Sequence, residues 1–171
     1  MNTSYESIDG RPVLCFERRI DHPVAAVWTA ITDAGELAQW FPSTITGEMR
    51  TGGRLGFSFP EHDEVPDMAG EVSEYDPPTK LGFNWGEDHL RFELSPAGDG
   101  SGTDLRFTVV LGSADKAARD GAGWHVCLAR LEASLDGAGE NELKQINDGW
   151  REHYDEYSRR GFPATAPIPA S

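Results

Sequence analysis

Five histidines and one crowded acidic loop are the groups in this chain whose types suggest chemistry. The loop reads Glu61-His62-Asp63-Glu64, with Asp67 close behind. Carboxylates and imidazole are metal-ligand types, but their spacing here matches no recognised metal motif. The stretch therefore reads as a solvated loop, and no metal or cofactor is expected. Asp88-His89 has the composition of an acid–base pair, since a carboxylate can orient and activate an imidazole. Neighbours on a strand point to opposite faces, however, which separates these two side chains. His125 follows Trp124, about 100° around a helix from its apolar stripe, where it lines a pocket mouth or faces solvent. His22 falls at a helix start and His153 in a C-terminal helix. The chain has no nucleophile elbow, phosphate loop, dinucleotide fingerprint or HExxH motif. Gly98, Gly100 and Gly102 sit at a hairpin tip rather than ahead of a helix, so they cradle no phosphate. No catalytic residue is assigned on these grounds.

The aromatic residues carry more. Trp40, Phe57, Phe59, Phe83, Trp85, Phe92, Phe107 and Trp124 are spread over strands and helices. Any one of them alone is best read as core, because buried aromatics dominate most cores. Together they are too bulky for simple alternation, and in a sheet that curves away from a helix they would line a pocket with few polar handles. The candidate ligand-binding set is Trp40, Phe57, Phe59, Phe83, Trp85, Phe92 and Trp124. Trp40, Phe83, Trp85 and Trp124 lead it, being large and on three different elements.

The elements that must position these rings follow from periodicity. Residues 1–11 are polar and expected to fray. Residues 13–21 alternate as a first strand. Pro23 suits the first position of a helix, with Asp21 or His22 as its cap and Val24, Val27, Trp28 and Ile31 as its apolar face. Asp33 caps a second short helix, which Phe41-Pro42 ends. Six short strands follow over 44–49, 54–59, 69–75, 80–85, 90–94 and 104–111, separated by glycine and proline turns. Leu55/Phe57/Phe59, Leu81/Phe83/Trp85, Leu90/Phe92/Leu94 and Leu105/Phe107/Val109/Leu111 each share one face. Arg54, Glu71, Glu93 and Arg106 fall on the outer face. The spacing of Ala117, Gly121, Trp124, Leu128, Leu131 and Leu135 predicts a long helix over 114–135. Ser113 is its expected N-cap, Asp136-Gly137 its stop, and Gly121 and Gly123 the places where it bends or lets the sheet approach. A further helix over 142–160 carries Leu143, Ile146, Trp150, Tyr154 and Tyr157, with Gly149 as a weak point. Residues 161–171 are proline-rich and read as extended.

Composition narrows the classes. The length suits one domain, over 1–171, with a core at 13–135, a helical extension at 142–160 and a tail. Twenty-nine acidic against 15 basic residues give a net charge of −14, which argues against nucleic acid and anionic membrane surfaces. No apolar run is long enough to insert in a bilayer. The first residues lack the basic and apolar regions of a secretory signal, so a cytoplasmic location is expected. Cys15 and Cys127 read as two buried thiols without CxxC spacing.

The pieces FERRIDHPVAAVWTAIT, ELAQWF, GGRLGFSF, GEVSEYDPPTKLGFNW, GTDLRFTV and GAGWHVCLARLEASL occur in order over about residues 13–135. In that order they resemble the SRPBCC or START-like superfamily, and within it the homologues of the activator of heat-shock-protein-90 ATPase. The resemblance implies an α+β helix-grip fold, a curved antiparallel sheet wrapped around a long C-terminal helix. It also implies an internal apolar cavity, used across the superfamily for lipids, polyketides and hormones. Some relatives are cyclases or aromatases, and many only bind. Many carry a histidine just after the last strand, where this chain has Val110-Leu111-Gly112, so a role resting on that histidine does not carry over. Nothing here corresponds to the chaperone-contacting N-terminal domain of the eukaryotic activator.

Three functional expectations result. The first is binding of a small hydrophobic or aromatic molecule in an internal cavity between sheet and helix, with little or no catalysis. The second is a cyclase-, aromatase- or hydrolase-like enzyme using His89, His125 or a tyrosine inside the cavity. The third is a chaperone-activator-like interaction module or a homodimer, with the tail helix as the contact surface. A titratable side chain pointing into the cavity distinguishes the second, and an uncovered tail stripe the third.

Overall fold

The computed structural model describes residues 2–169. Eight strands form one antiparallel sheet: β1 (Asn2–Ile8), β2 (Arg11–Ile20), β3 (Thr44–Gly47), β4 (Arg54–Ser58), β5 (Met68–Asp76), β6 (Lys80–Trp85), β7 (Asp88–Pro96) and β8 (Thr103–Val110). Their spatial order is β1-β2-β8-β7-β6-β5-β4-β3. Two short helices, α1 (Val24–Thr32) and α2 (Ala34–Trp40), leave β2 for the other edge. The long helix α3 (Ala117–Leu135) covers the inner face, and α4 (Glu140–Ile146) and α5 (Trp150–Arg159) follow it. This is the α+β helix-grip architecture, with a curved sheet gripping α3 and extra C-terminal helices.

The main correction lies at the start. Residues 2–8 do not fray but pair with β2 from Asn2↔Glu17 to Ile8↔Arg11. The cause is the turn Asp9-Gly10, with φ of 51° and 76°. Two successive positive φ values match the right-handed twist of a hairpin, and Asp-Gly is a preferred pair for them. Met1 and residues 170–171, part of the expected extended tail, lie outside the described residues.

Smaller corrections concern helix starts. Pro23 precedes α1 in an extended conformation, and its carbonyl receives the Ala26 and Val27 amides. Neither Asp21 nor His22 caps it, and His22 Nε2 instead lies 2.7 Å from Asp136 Oδ1. Ser113 does not cap α3, because its hydroxyl turns to Asp115 and a 3-10 turn (Ala114–Lys116) intervenes. Asp33 does cap α2, accepting the Glu36 amide. Past α3, Gly137 adopts φ 84° and the Ala138 amide returns to Ala133 O, a glycine-based stop.

The two faces of the sheet differ as the alternation requires. Outside, the register sets Glu17 beside Arg106, Arg106 beside Glu93 and Glu93 beside Lys80, a row of alternating charge across four strands. Arg91 bonds Glu74, and Arg54 stands opposite Glu71. Cys15 belongs to this face and is half-buried, since Leu14 and Phe16 on either side take the inward positions. Cys127 is buried, which pushes its thiol up to about 12.

Inside, the phenylalanines stack into a ladder. Phe16 lies 5.8 Å from Phe107, Phe107 4.4 Å from Phe92, Phe92 6.3 Å from Phe83, and Phe83 6.0 Å from Phe57, centroid to centroid. Each such contact adds roughly 0.5–1.5 kcal/mol beyond burial. The extension closes the other side of α3. A Cβ at Gly121 would stand 3.4 Å from Tyr157 and 3.8 Å from Leu14, so the glycine lets α5 approach α3 closely. Leu143 and Tyr157 are buried, and Phe162 packs on Tyr157 at 4.9 Å. The stripe on the extension therefore covers this chain's own core.

A candidate aromatic cleft beside the long helix

The ladder decides where a ligand has room. Trp40, Phe57, Phe83 and Phe92 are each no more than 1% exposed. Trp40 also donates its indole N–H to Ala30 O at 2.9 Å, which ties α2 to α1. These four residues fill the space between sheet and helix. Alternation predicts that they point inward, but their mutual stacking makes the interior there solid.

The other three candidates meet at an opening. Phe59, Trp85 and Trp124 stand on the wall of a cleft of about 410 Å³ at one end of the sheet. Trp85 packs edge-on against Trp124 at 5.3 Å and tilts against Phe59 at 6.2 Å. Phe59 follows β4, Trp85 ends β6, and Trp124 is on α3, so the sheet end and the helix converge here. Val65, Met68, Cys127 and Trp150 extend the apolar lining. Val65 belongs to the acidic loop, which thus supplies one wall rather than being wholly solvated. Trp150 was visible in the helical stripe of the extension, but nothing local to it showed that it faces Gly123, whose Cβ position lies 3.9 Å from its indole nitrogen.

One corner of the cleft is charged, and the sequence reading missed it. Asp88, at the start of β7, shares the inward register of Leu90 and Phe92 and is 2% exposed. It accepts the Gly112 amide at 2.8 Å and the Lys116 ammonium at 2.7 Å. The Asp120 carboxylate stands 3.6 Å from Lys116 and 2.8 Å from Arg119. Burial pushes Asp120 up against the opposing pull of Arg119 and Lys116. Lys116 is itself raised: burial opposes its charge, but Asp88, Asp120 and Glu87 together outweigh it. Lys116 and Asp88 are 28 residues apart, beyond any local motif.

The histidines lie elsewhere. His89 points outward, as strand alternation requires, and its Nε2 is 2.8 Å from Ser73 Oγ, across Gly82. His125 neither lines the cleft nor faces open solvent: it packs against α5, with Nδ1 2.5 Å from Tyr157 Oη. Burial, then His153 and Arg18, lower it to about 4. His62 stands exposed 3.8 Å from Glu64. Neither histidine named for acid–base work is on the cleft wall, so an enzymatic reading would have to rest on other groups. Among the described residues no cluster of three or more His, Cys, Asp or Glu has a metal-binding arrangement. No helix among them is long and apolar enough to cross a membrane.

The sequence pattern of the family described as "Activator of Hsp90 ATPase homolog 1-like protein" matches residues 21–136. The chain belongs to that family. The match spans α1 through α3 and so includes most of the cleft wall, while Trp150 and the tail lie outside the family region. A comparison with curated proteins gives no match. Among solved structures, CalU16 from Micromonospora echinospora is similar with a TM-score of 0.69 and 24% identity, covering 92% of this chain and 94% of that one. A conserved protein of unknown function, EF2215 from Enterococcus faecalis, also reaches 0.69, with 22% identity over 90% and 91% of the two chains. An AHSA1-like protein from Aeromonas hydrophila reaches 0.61, with 21% identity over 74% and 94%. At these identities the likeness carries the fold of the Activator of Hsp90 ATPase homolog 1-like family and no more.

Proposed function

We propose that the protein binds a small planar apolar or aromatic molecule in the cleft between the end of the sheet and α3. One observation carries this reading: Phe59, Trp85, Trp124 and Trp150, from four separate parts of the chain, line one opening of about 410 Å³. That volume falls in the range of about 300–1,000 Å³ common to small-molecule sites. The lining is apolar except at one corner, so burial of ring surface supplies the affinity and the corner supplies orientation. The site is displaced from the internal cavity implied by the superfamily, because the phenylalanine ladder occupies the interior. Binding needs no chemical step from these residues.

The test is native mass spectrometry of protein purified from its source, followed by titration of the recovered molecule while tryptophan fluorescence is recorded. Retention of a small ring-bearing molecule whose binding quenches the tryptophans supports the reading. Protein that carries nothing, and whose tryptophan emission is unmoved by a panel of two- and three-ring aromatics, overturns it.

A further inference from the structure

The charged corner gives the cleft a preference among aromatic molecules, and Lys116 is its centre. An ammonium has three N–H donors. Lys116 spends one, on Asp88 at 2.7 Å. Its other charged neighbours, Asp120 at 3.6 Å and Glu87 at 3.8 Å, are beyond hydrogen-bond reach. The residue is 9% exposed and lines the cleft, so the water that reaches its remaining donors comes through the cleft, and an occupant displaces it. A donor removed from water and left unspent is costly, and an acceptor brought by an occupant recovers that cost.

A second donor stands on the same wall. Trp85 gives its indole N–H to Ser43 Oγ at 3.2 Å. The indole N–H of Trp124 finds no partner among the described residues.

Charge decides what kind of acceptor fits. Glu87, Asp88 and Asp120 face Lys116 and Arg119 across this corner, three negative charges against two positive. The Arg119 side chain is also engaged, by Asp120 and by Pro167 O at 3.1 Å. An anionic ligand would approach a surplus of carboxylate at close range in a partly dry site, where repulsion is weakly screened. An uncharged oxygen meets the Lys116 donors without that penalty.

We propose that the ligand of this cleft is an uncharged planar aromatic molecule bearing a carbonyl or similar acceptor oxygen, held by Lys116. This rests on the cleft being the binding site. The rings of Phe59, Trp85 and Trp124 take the hydrocarbon body, and Lys116 selects the end that carries the oxygen.

Three probes of one shape test it: 2-acetylnaphthalene, 2-isopropenylnaphthalene with CH2 in place of the carbonyl oxygen, and the anion 2-naphthoate. Each is titrated into the intact protein at pH 7.5 by isothermal calorimetry. The ketone is expected to bind about tenfold or more tighter than the hydrocarbon, the effect of one charge-assisted hydrogen bond, and tighter than the carboxylate. Equal affinity for ketone and hydrocarbon, or tightest binding of the carboxylate, overturns the role of Lys116 and leaves the aromatic cleft standing. Binding of none of the three overturns the cleft itself and this inference with it. Lys116→Met should abolish the ketone's advantage over the hydrocarbon. Because that change strands the buried Asp88, the double variant Asp88→Asn with Lys116→Met serves if the single one fails to fold. A ketone preference that survives in the folded variant overturns the proposal.

Discussion

The rings of His125 and His153 stack at 3.7 Å with 19° between their planes, joining α3 to α5. His153 Nδ1 is buried without a hydrogen-bond partner, while His125 Nδ1 is held by Tyr157. Arg18, only 6% exposed, lies on the same side and bonds Thr3 Oγ1 at 3.0 Å. Glu132 on α3, Glu156 on α5 and Arg160 just past its end complete the charged surroundings. A second positive charge on this stack would sit beside Arg18, so the docked extension depends on a neutral His125.

The pH dependence follows with a definite sign. The ordinary histidine value is 6.5, and His125 is lowered to about 4 in the folded chain. Between those values the unfolded chain binds the proton and the folded chain does not, so stability falls as pH drops through that window. Thermal unfolding should be flat above about pH 6.5 and lose temperature steadily from there toward pH 4.5. The upper half of that loss precedes most carboxylate titration, and His125→Gln should flatten it. An unchanged slope in that variant would assign the effect to other groups.

The ladder makes a stability prediction. Phe107 contacts Phe16, Phe92 and Trp124, the last at 5.1 Å, and is fully buried. Phe107→Ala should cost about 3–5 kcal/mol, read from urea denaturation with an unchanged slope.

Core and cleft should separate under mutation. Trp40→Phe removes the indole bond to Ala30 O and should lower stability by about 1–2 kcal/mol with no change in ligand affinity. Phe59→Ala, at the half-exposed rim, should weaken ligand binding about tenfold while moving the melting temperature by only a few degrees. Calorimetric titration and thermal melts on the same two samples check both.

A glycine in β5 gives a sharper steric test. A Cβ at Gly70 would lie 2.0 Å from the Asn84 backbone oxygen and 2.9 Å from the Phe57 ring. Gly70→Ala must therefore push β6 away, at about 1–3 kcal/mol. Gly98→Ala, at an open loop with nothing within 4 Å, should leave the denaturation midpoint in place.

Removing residues 140–171 should abolish cooperative unfolding rather than trim a tail. The cut strips Tyr157 and Phe162 from α3 and leaves Leu14 facing water beside Gly121. Loss of a sigmoidal melt, with dye-accessible apolar surface, is the expected result; an intact melt would show that the extension is dispensable.

Most strands were legible because alternation and turn residues are local signals. β6 matches its expected limits of 80–85, and the break at Gly149 falls between α4 and α5. β1 was not legible because NTSYESI is polar: it is an edge strand whose apolar cover, Phe162 against Tyr5 at 5.8 Å, comes from the far end of the chain. The site divides the same way. Alternation tells which rings point inward, but not which of them others will bury. Phe59 and Trp85 stay half-exposed because they lie at strand ends, and Trp124, 3% exposed on the lid, reaches the cleft wall from the core, whereas Phe57, Phe83 and Phe92 are mid-strand and stack on one another. Asp88 and Lys116 meet only when β7 and the turn before α3 come together, which no spacing in the sequence records.

The outer face of the sheet has a consequence for handling the molecule. Glu17, Glu93, Glu74 and Glu71 there are matched by Arg106, Lys80, Arg91 and Arg54, so these paired rows cancel and the chain's excess of 14 negative charges falls largely on its loops and helices. On a cationic support, the protein should be held by its loops and helices rather than by the charge-balanced outer face of the sheet, a preference set by electrostatics and erased by salt.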